Sequence, residues 1–287
     1  MATTAAAGSA APAAAAAVAE SRPLIVSLGG DGTLHEVVNG LMSARGGRSA
    51  ASLPAVGLVA TGTGGDFGRA LGIPNNVRDY LAALAGAHEC AVDVGRARFT
   101  GSDGAPVERY WINVLSGGVG GLVDRYAASA PGFLGGRVAY GQAALRGIVM
   151  CRRTRLRCRA TLPDGSTLER VLDTHAVAVC NGTTFGGGMR IAPMAAPHDG
   201  LLEVVAFETR TRWRLVGRFL TVYRGTHMQE PGVHHFSCTA LTLEPLDAPA
   251  GQPRRGVFPL DVDGEALGDV PLEVGVVPGA LRMRAPA

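Results

Sequence analysis

The residues Gly29-Gly30-Asp31-Gly32-Thr33-Leu34-His35 place an acid and a hydroxyl in a glycine turn, where an apolar run gives way to a helical pattern. A helix start exposes unpaired backbone N–H groups and a partial positive charge. Glycines ahead of it let a ligand approach the backbone, which is the chemistry of phosphate binding. Asp31 lies inside that cradle, where a bare carboxylate repels phosphate. It makes sense with a cation between the two, or as a group that handles a proton. The segment points to a nucleotide–Mg²⁺ site. The plainer alternative is a tight strand-to-helix turn, which short glycine motifs often are.

Such a turn needs a strand before it and a helix after it. Leu24–Leu28 reads as the strand. Leu34, Val37, Val38, Leu41 and Met42 fall on one helical face. Thr33 and Glu36 have capping-box spacing. Strand Val56–Ala60, the turn Thr61–Gly65, a short helix from Asp66 to Leu71, helix Val77–Ala85 and strand Cys90–Val94 follow. Alternating strands and helices imply a parallel sheet with glycine turns at its carboxyl edge. After Gly95 the texture changes. Arg153–Leu162 and Thr167–Leu172 flank the turn Pro163–Ser166 as a hairpin. Val177–Cys180, Leu201–Phe207, Cys238–Leu243, Phe258–Val262 and Leu272–Val277 read as strands, and Val138–Val149 and Trp213–Tyr223 as helices. The expected organisation is an alanine-rich, disordered tail over 1–22, an α/β nucleotide-binding domain over 23–95, and a mainly antiparallel β domain over 96–287.

Composition narrows the chemistry. The chain has 287 residues and 47% apolar content, enough for a packed core, and no apolar run long enough to span a bilayer. Its alanine-rich start lacks the basic and apolar regions of a signal peptide. Five scattered cysteines form no C-x-x-C pair and fit a reduced, cytoplasmic interior. Every basic residue is arginine. A lysine phosphate loop and a Schiff-base lysine are therefore excluded, and any phosphate clamp uses Arg, backbone amides or metal. A net charge of +3 does not point to nucleic acid.

Four blocks, in order, resemble the diacylglycerol-kinase-like lipid kinases, which include bacterial diacylglycerol kinases and sphingosine kinases. They are Gly29–Thr33 with Glu36–Gly40; Gly62–Arg69 with Leu71–Pro74; Asn181–Met189 through Ala192-Pro193 to Asp199-Gly200; and Asp263-Gly264-Glu265. NAD kinases and phosphofructokinases share the first turn but not the second block or the late acid pair. The resemblance implies a three-layer α/β nucleotide domain and a β-sandwich domain across a cleft, with the last strand free to return to the first domain. It implies ATP on Gly29, Gly30, Asp31, Gly32, Thr33, Leu34 and His35, with Gly62, Thr63 and Arg69 beside it. It assigns magnesium to Asp31, Asp66 and Asp93, and a second metal site to Asp199 with carbonyls near Ala196 and Leu201. Base chemistry falls to Asp263 and Glu265. Phosphoryl transfer needs positioning, charge neutralisation and a base. Magnesium accepts a few carboxylates plus waters. Two acids flanking one glycine lie on the same side of an extended segment.

Some features depart from the family pattern. A first strand with an Asn-Pro and glycine turn, expected ahead of Gly29, is not seen. Gly65 replaces Asn, Ala60 replaces Pro and His35 replaces Asn. The leading expectation is an ATP- and Mg²⁺-dependent lipid kinase, cytoplasmic and peripheral to the membrane, without a nucleic-acid partner and with homodimerisation left open. The alternative is a catalytically impaired nucleotide- or lipid-binding homologue. Arg153, Arg155, Arg157 and Arg159 alternate on one strand face, as a membrane contact or, preferably, a solvated face. Arg210, Arg212, Arg214 and Arg218 surround Trp213 near a helix start, and are read as the polar face of a packed helix. His234-His235 point to opposite strand faces and are read as ordinary rather than metal-binding residues.

Overall fold

The computed structural model describes residues 8–62, 64–86, 88–101, 103–128, 136–209, 211, 213–246 and 257–286. Among them the first unit runs α1 (Ala10–Ala19), β1 (Leu24–Gly29), α2 (Asp31–Arg45), β2 (Ala55–Ala60), α3 (Asp66–Ala70), α4 (Val77–Ala85) and β3 (Glu89–Gly101). β1 and β2 pair in parallel from Leu24↔Ala55 to Gly29↔Ala60, so their carboxyl ends deliver both glycine turns to one edge. Every residue of β2 is buried, as expected of a strand covered on both faces.

The second unit contains β4 (Pro106–Trp111), β5 (Val114–Gly118), α5 (Val119–Ala128), α6 (Gly136–Met150), β6 (Thr154–Thr161), β7 (Thr167–Thr174), β8 (Ala176–Cys180), β9 (Leu202–Phe207), α7 (Trp213–Arg224), β10 (Val233–Cys238), β11 (Ala240–Pro245), β12 (Pro259–Val262) and β13 (Glu265–Arg284). The strands follow the order β10-β9-β8-β5-β12-β13-β11-β6-β7. β13 starts at the late acid pair, runs antiparallel to β3 from Gly268↔Gly101 to Arg284↔Glu89, and meets β2 in parallel at Met283↔Val56. The last strand thus returns to the first unit. β3 crosses the expected boundary at residue 95 without a break. One core gathers Val38, Leu41, Val56, Phe67, Val92 and Leu281; a second gathers Trp111, Leu115, Leu172, Leu202 and Phe258. A third lies between the sheet and the helices, around Val114, Val205, Ile148 and Leu215.

Several expectations are corrected. Residues 10–19 form α1 instead of a disordered tail, while residues 1–7 lie outside the described residues. Ala10, Ala14 and Val18 recur every fourth position and are buried with α2. Gly40 makes this possible, because a side chain there would collide with the backbone of Ala11. The expected capping box does not form. Gly30 is the N-cap of α2, and Glu36 instead accepts from the amides of Gly8 (2.6 Å) and Ala10 (2.8 Å), capping α1. β5 and α5 are not among the expected elements, and the glycine-rich stretch Ser116-Gly117-Gly118-Val119-Gly120-Gly121 spans their junction. Side chains at Gly117 and Gly121 would strike Phe258 and the Pro259 backbone. Cys238 ends β10 rather than opening β11, because Thr239 separates two strands.

The hairpin forms as expected, with Arg153 paired to Asp173 (2.7 Å) and Arg159 to Glu169 (3.4 Å). Arg157 lies 3.9 Å from Glu169 and from Glu244, so the arginine face is interleaved with acids. His234 pairs with Glu208 (2.8 Å) and His235 with Glu203. Arg210 and Arg212 lie outside the described residues. Among the described residues no helix is long and apolar enough to cross a membrane.

A candidate phosphoryl-transfer cleft

The two glycine turns touch. Thr61 N donates to Gly29 O (2.9 Å), and a Cβ at Gly62 would lie 3.2 Å from Gly30 Cα. Asp31 opens α2 and bridges the turns: its Oδ1 accepts from Asp66 N at the start of α3 (3.2 Å), and its Oδ2 lies against Gly64, where a side chain would collide with it. Burial, and then the charge of Asp66, push the Asp31 carboxyl above the usual carboxylate range, and the amides of Phe67 and Asp66 offset this in part. Asp66 is itself buried and already partnered, by Arg69 (2.7 Å) on one oxygen and Gly187 N (2.8 Å) on the other. The amide lost at Gly65 is supplied from elsewhere: the Asn75 side chain fills that space and donates to Gly64 O (3.3 Å).

Other residues assigned to nucleotide binding divide. Gly29, Gly30, Asp31 and Gly32 line the turn. Thr33 packs its side chain against Gly29. Leu34 is a core residue, 1% exposed, so only its backbone is available. Thr63 lies outside the described residues. His35 is buried and directed at the late acid pair.

Asp263 adopts φ +52, a left-handed conformation that Asp tolerates better than most residues. Its Oδ1 accepts from the amides of Asn113 (3.0 Å) and Val114 (3.1 Å). Its Oδ2 accepts from Ile112 N (3.0 Å) and meets His35 Nδ1 at 3.1 Å. These four contacts fill the acceptor positions of the carboxylate. Glu265 differs: it is exposed, Gly32 sits 3.7 Å from its Oε1 on an added Cβ, and it lines a polar cleft of about 880 Å³ with His35, Arg45, Arg96, Arg109 and Tyr110. Behind His35, Asn39 ties α2 to β4, donating to Tyr110 O (2.9 Å) and accepting from Tyr110 N (3.0 Å).

The acids assigned to metals also divide. Asp93 does not join Asp31 and Asp66. Its oxygens accept from Gly200 N (2.7 Å) and Gly279 N (2.7 Å), joining β3 to the turn before β9 and to the irregular stretch of β13 between Val277 and Leu281. Its charge is felt by Asp199, whose carboxyl is raised first by burial and then by Asp93, with the Leu201 amide opposing. Ala196 O accepts from His198 N (2.8 Å), so Ala196, Asp199 and Leu201 share one tight turn. Among the described residues no three His, Cys, Asp or Glu side chains converge as a metal cage.

A second cavity, of about 120 Å³, lies between the β5–β8 face and helices α5, α6 and α7. Phe185 and Met189 line it, and between them Gly187 holds Asp66. Val222 lines it too, and the neighbouring Tyr223 phenol is raised by burial and by the charge of Asp66. The apolar cavity and Asp66 therefore share the segment from Phe185 to Met189. Sequence patterning gave no sign of it, since its wall residues look like core.

Residues 1–97 match the family described as Diacylglycerol kinase catalytic domain, and residues 113–285 match the YegS C-terminal NAD kinase beta sandwich-like domain. The chain belongs to the diacylglycerol-kinase-like lipid kinase family. Within this family of lipid kinases, a Chromohalobacter salexigens protein named "Probable lipid kinase YegS-like" is 28% identical, over 91% of this chain and 76% of that protein. A Staphylococcus aureus diacylglycerol kinase is 27% identical, over 89% and 72%. The crystal structure of a diacylglycerol kinase from Bacillus anthracis is 19% identical with TM-score 0.66, over 99% of this chain and 83% of that one. Yeast NADH kinase shares the fold more distantly, at 14% identity and TM-score 0.51, over 92% and 62%. The two-unit fold expected for the family is the fold observed.

Proposed function

We propose that this chain is an ATP-dependent lipid kinase that transfers a phosphoryl group in line, with Mg²⁺, to a hydroxyl of a diacylglycerol or sphingoid-type lipid at a membrane surface. The observation that carries this reading is the Phe185–Met189 segment, which walls the apolar cavity on one side and holds Asp66 through Gly187 N on the other, beside two touching glycine turns. Phosphate-binding backbone and an apolar cavity of about 120 Å³ thus flank the segment from Phe185 to Met189. Leu145 and Met150 on α6 and Val216 on α7 are exposed on the helices that cover the cavity, which supports a peripheral membrane contact.

The residues divide the work. The amides that open α2 and the turn at Gly62 suit phosphates. The donor set fits a hard cation: Asp31 is a carboxylate crowded by a second carboxylate, and Asp66, whose oxygens are both taken, orients what lies next to it. Asp31 would hold Mg²⁺ directly, where the ion supplies charge neutralisation. Asp263 has no acceptor position to spare, so it fixes the β12–β13 turn against β5 and α2. That turn carries Glu265 to the first turn of α2, where its free carboxylate accepts the proton of the lipid hydroxyl.

The test is γ-labelled Mg-ATP with mixed micelles of a diacylglycerol, counting label in the organic phase. The chain transfers label and a Glu265→Gln variant does not. No transfer by the wild-type chain, with nucleotide still bound, would support the non-catalytic alternative.

A further inference from the structure

β1 lies at an open edge. It pairs with β2, and among the described residues no strand covers its other side. The carbonyls of Pro23 and Gly29 accept from Ala55 N and Thr61 N, on the β2 side. Backbone groups alternate in direction along a strand, so Leu24, Val26 and Leu28 turn their N–H and C=O groups to the open side. The side chains of these three share one face, where Val26 is 45% and Leu28 55% exposed. Leu84 of α4 is on that face too, since it and Val26 both lie against Gly57. Edge strands are normally guarded by a charge, a proline or a bulge. From Leu24 to Leu28 there is no charge and no proline, and the register with β2 is unbroken. An apolar edge without guards points to a cover.

The cover that fits is a second copy of this chain. About a two-fold axis at Val26 the two β1 strands run antiparallel. Val26 then meets Val26 of the second copy, and Leu24 meets Leu28. Every outward N–H and C=O of these three residues gains a partner, and the axis closes the assembly at two chains. An axis normal to the sheet also puts the α4 face of both copies on one side, so the apolar faces join. Charge agrees. The same register sets Arg22 opposite Gly30 of the second copy, beside its Asp31, whereas parallel strands would set Arg22 against Arg22. Arg22 pairs with Glu20 (2.9 Å) between exposed side chains, and such pairs contribute little, so it is available for exchange. The phosphate turn of the second copy has use for it. Arg69 is held there by Asp66 (2.7 Å), and the chain has no lysine.

Resting on the nucleotide site of the kinase reading, we propose that β1 pairs antiparallel with β1 of a second copy about an axis at Val26, and that Arg22 of each copy reaches the phosphate turn of the other. The test is sedimentation equilibrium over a micromolar range, joined to calorimetry with Mg-ADP. The wild type is expected to be a dimer. Val26→Lys sets like charges face to face at the axis and is expected to be monomeric, with a thermal melt to show that it is folded. Val26→Cys should form a covalent dimer on mild oxidation, because residues opposed at the axis lie within disulfide reach. Leu28→Cys is more exposed but faces Leu24, and should not. Arg22→Gln should stay dimeric and bind Mg-ADP about tenfold more weakly, and Val26→Lys should lose a similar factor. A monomeric wild type, a dimer that survives Val26→Lys, or equal cross-linking at 26 and 28 overturns the interface. The wild-type state and the cross-links decide this even if Val26→Lys does not fold. Unchanged Mg-ADP binding in Arg22→Gln overturns the role of Arg22. If the wild-type dimer binds no Mg-ADP, the nucleotide reading and the role of Arg22 fall together, while the cross-links still decide the interface.

Discussion

Asp31 carries a conflict that a bound cation would relieve. Its carboxyl is raised above 3.8 by burial and by Asp66, so the folded state binds that proton more tightly than the unfolded state. The resulting penalty is absent below pH 3.8 and grows as pH rises through the folded-state value. Asp31→Asn keeps an acceptor for the Asp66 amide and removes the charge. The variant is expected to melt at a higher temperature than wild type at pH 7, with the difference shrinking towards pH 3.8, and to lose activity by about a hundredfold or more. A thermal scan at two pH values with one kinase assay checks all three. The late acid pair separates in the same manner. Asp263→Asn turns an NH₂ towards amide donors and is expected to lower unfolding free energy by about 1–3 kcal/mol. Glu265→Gln, on an exposed residue, should stay within about 0.5 kcal/mol of wild type in urea unfolding. The residue types of the site were legible because glycines beside an acid are unusual chemistry. The division of labour was not. Asp93 holds Gly200 and Gly279 instead of joining the other acids because those partners lie more than a hundred positions away in sequence.

Among the elements, α2 was legible because large apolar side chains mark its buried face. α1 was not, since alanine gives no contrast between faces. Its helix is held by tertiary facts: Gly40 admits the backbone of Ala11, and Glu36 caps its first turn. Glu36→Ala is expected to cost about 1 kcal/mol, and Gly40→Val to release α1 from α2. Hydrogen exchange over residues 10–19 should rise in Gly40→Val while β2 remains protected. β10 escaped notice because it pairs on one side only and places His234 and His235 against Glu208 and Glu203 rather than in a core.

At the scale of the molecule, the order of motifs predicted two units, but not how closely they interlock. β3 runs through the expected boundary, β13 joins both units, and Asp66, Asp93 and Asn181 each hydrogen-bond across to a partner in the other unit or its loops. The cleft is thus bordered by shared strands, and a ligand bound in it should stabilise both units together. At a free concentration of a hundred times its Kd, Mg-ADP is expected to add about 2.7 kcal/mol to unfolding, in one transition. The account stands on phosphate and a divalent cation meeting at Asp31. Isothermal titration of ADP, with and without Mg²⁺, into the wild-type chain and Asp31→Asn tests this directly. It predicts Mg²⁺-dependent binding that Asp31→Asn abolishes; binding of equal strength without Mg²⁺, or in the variant, would contradict it.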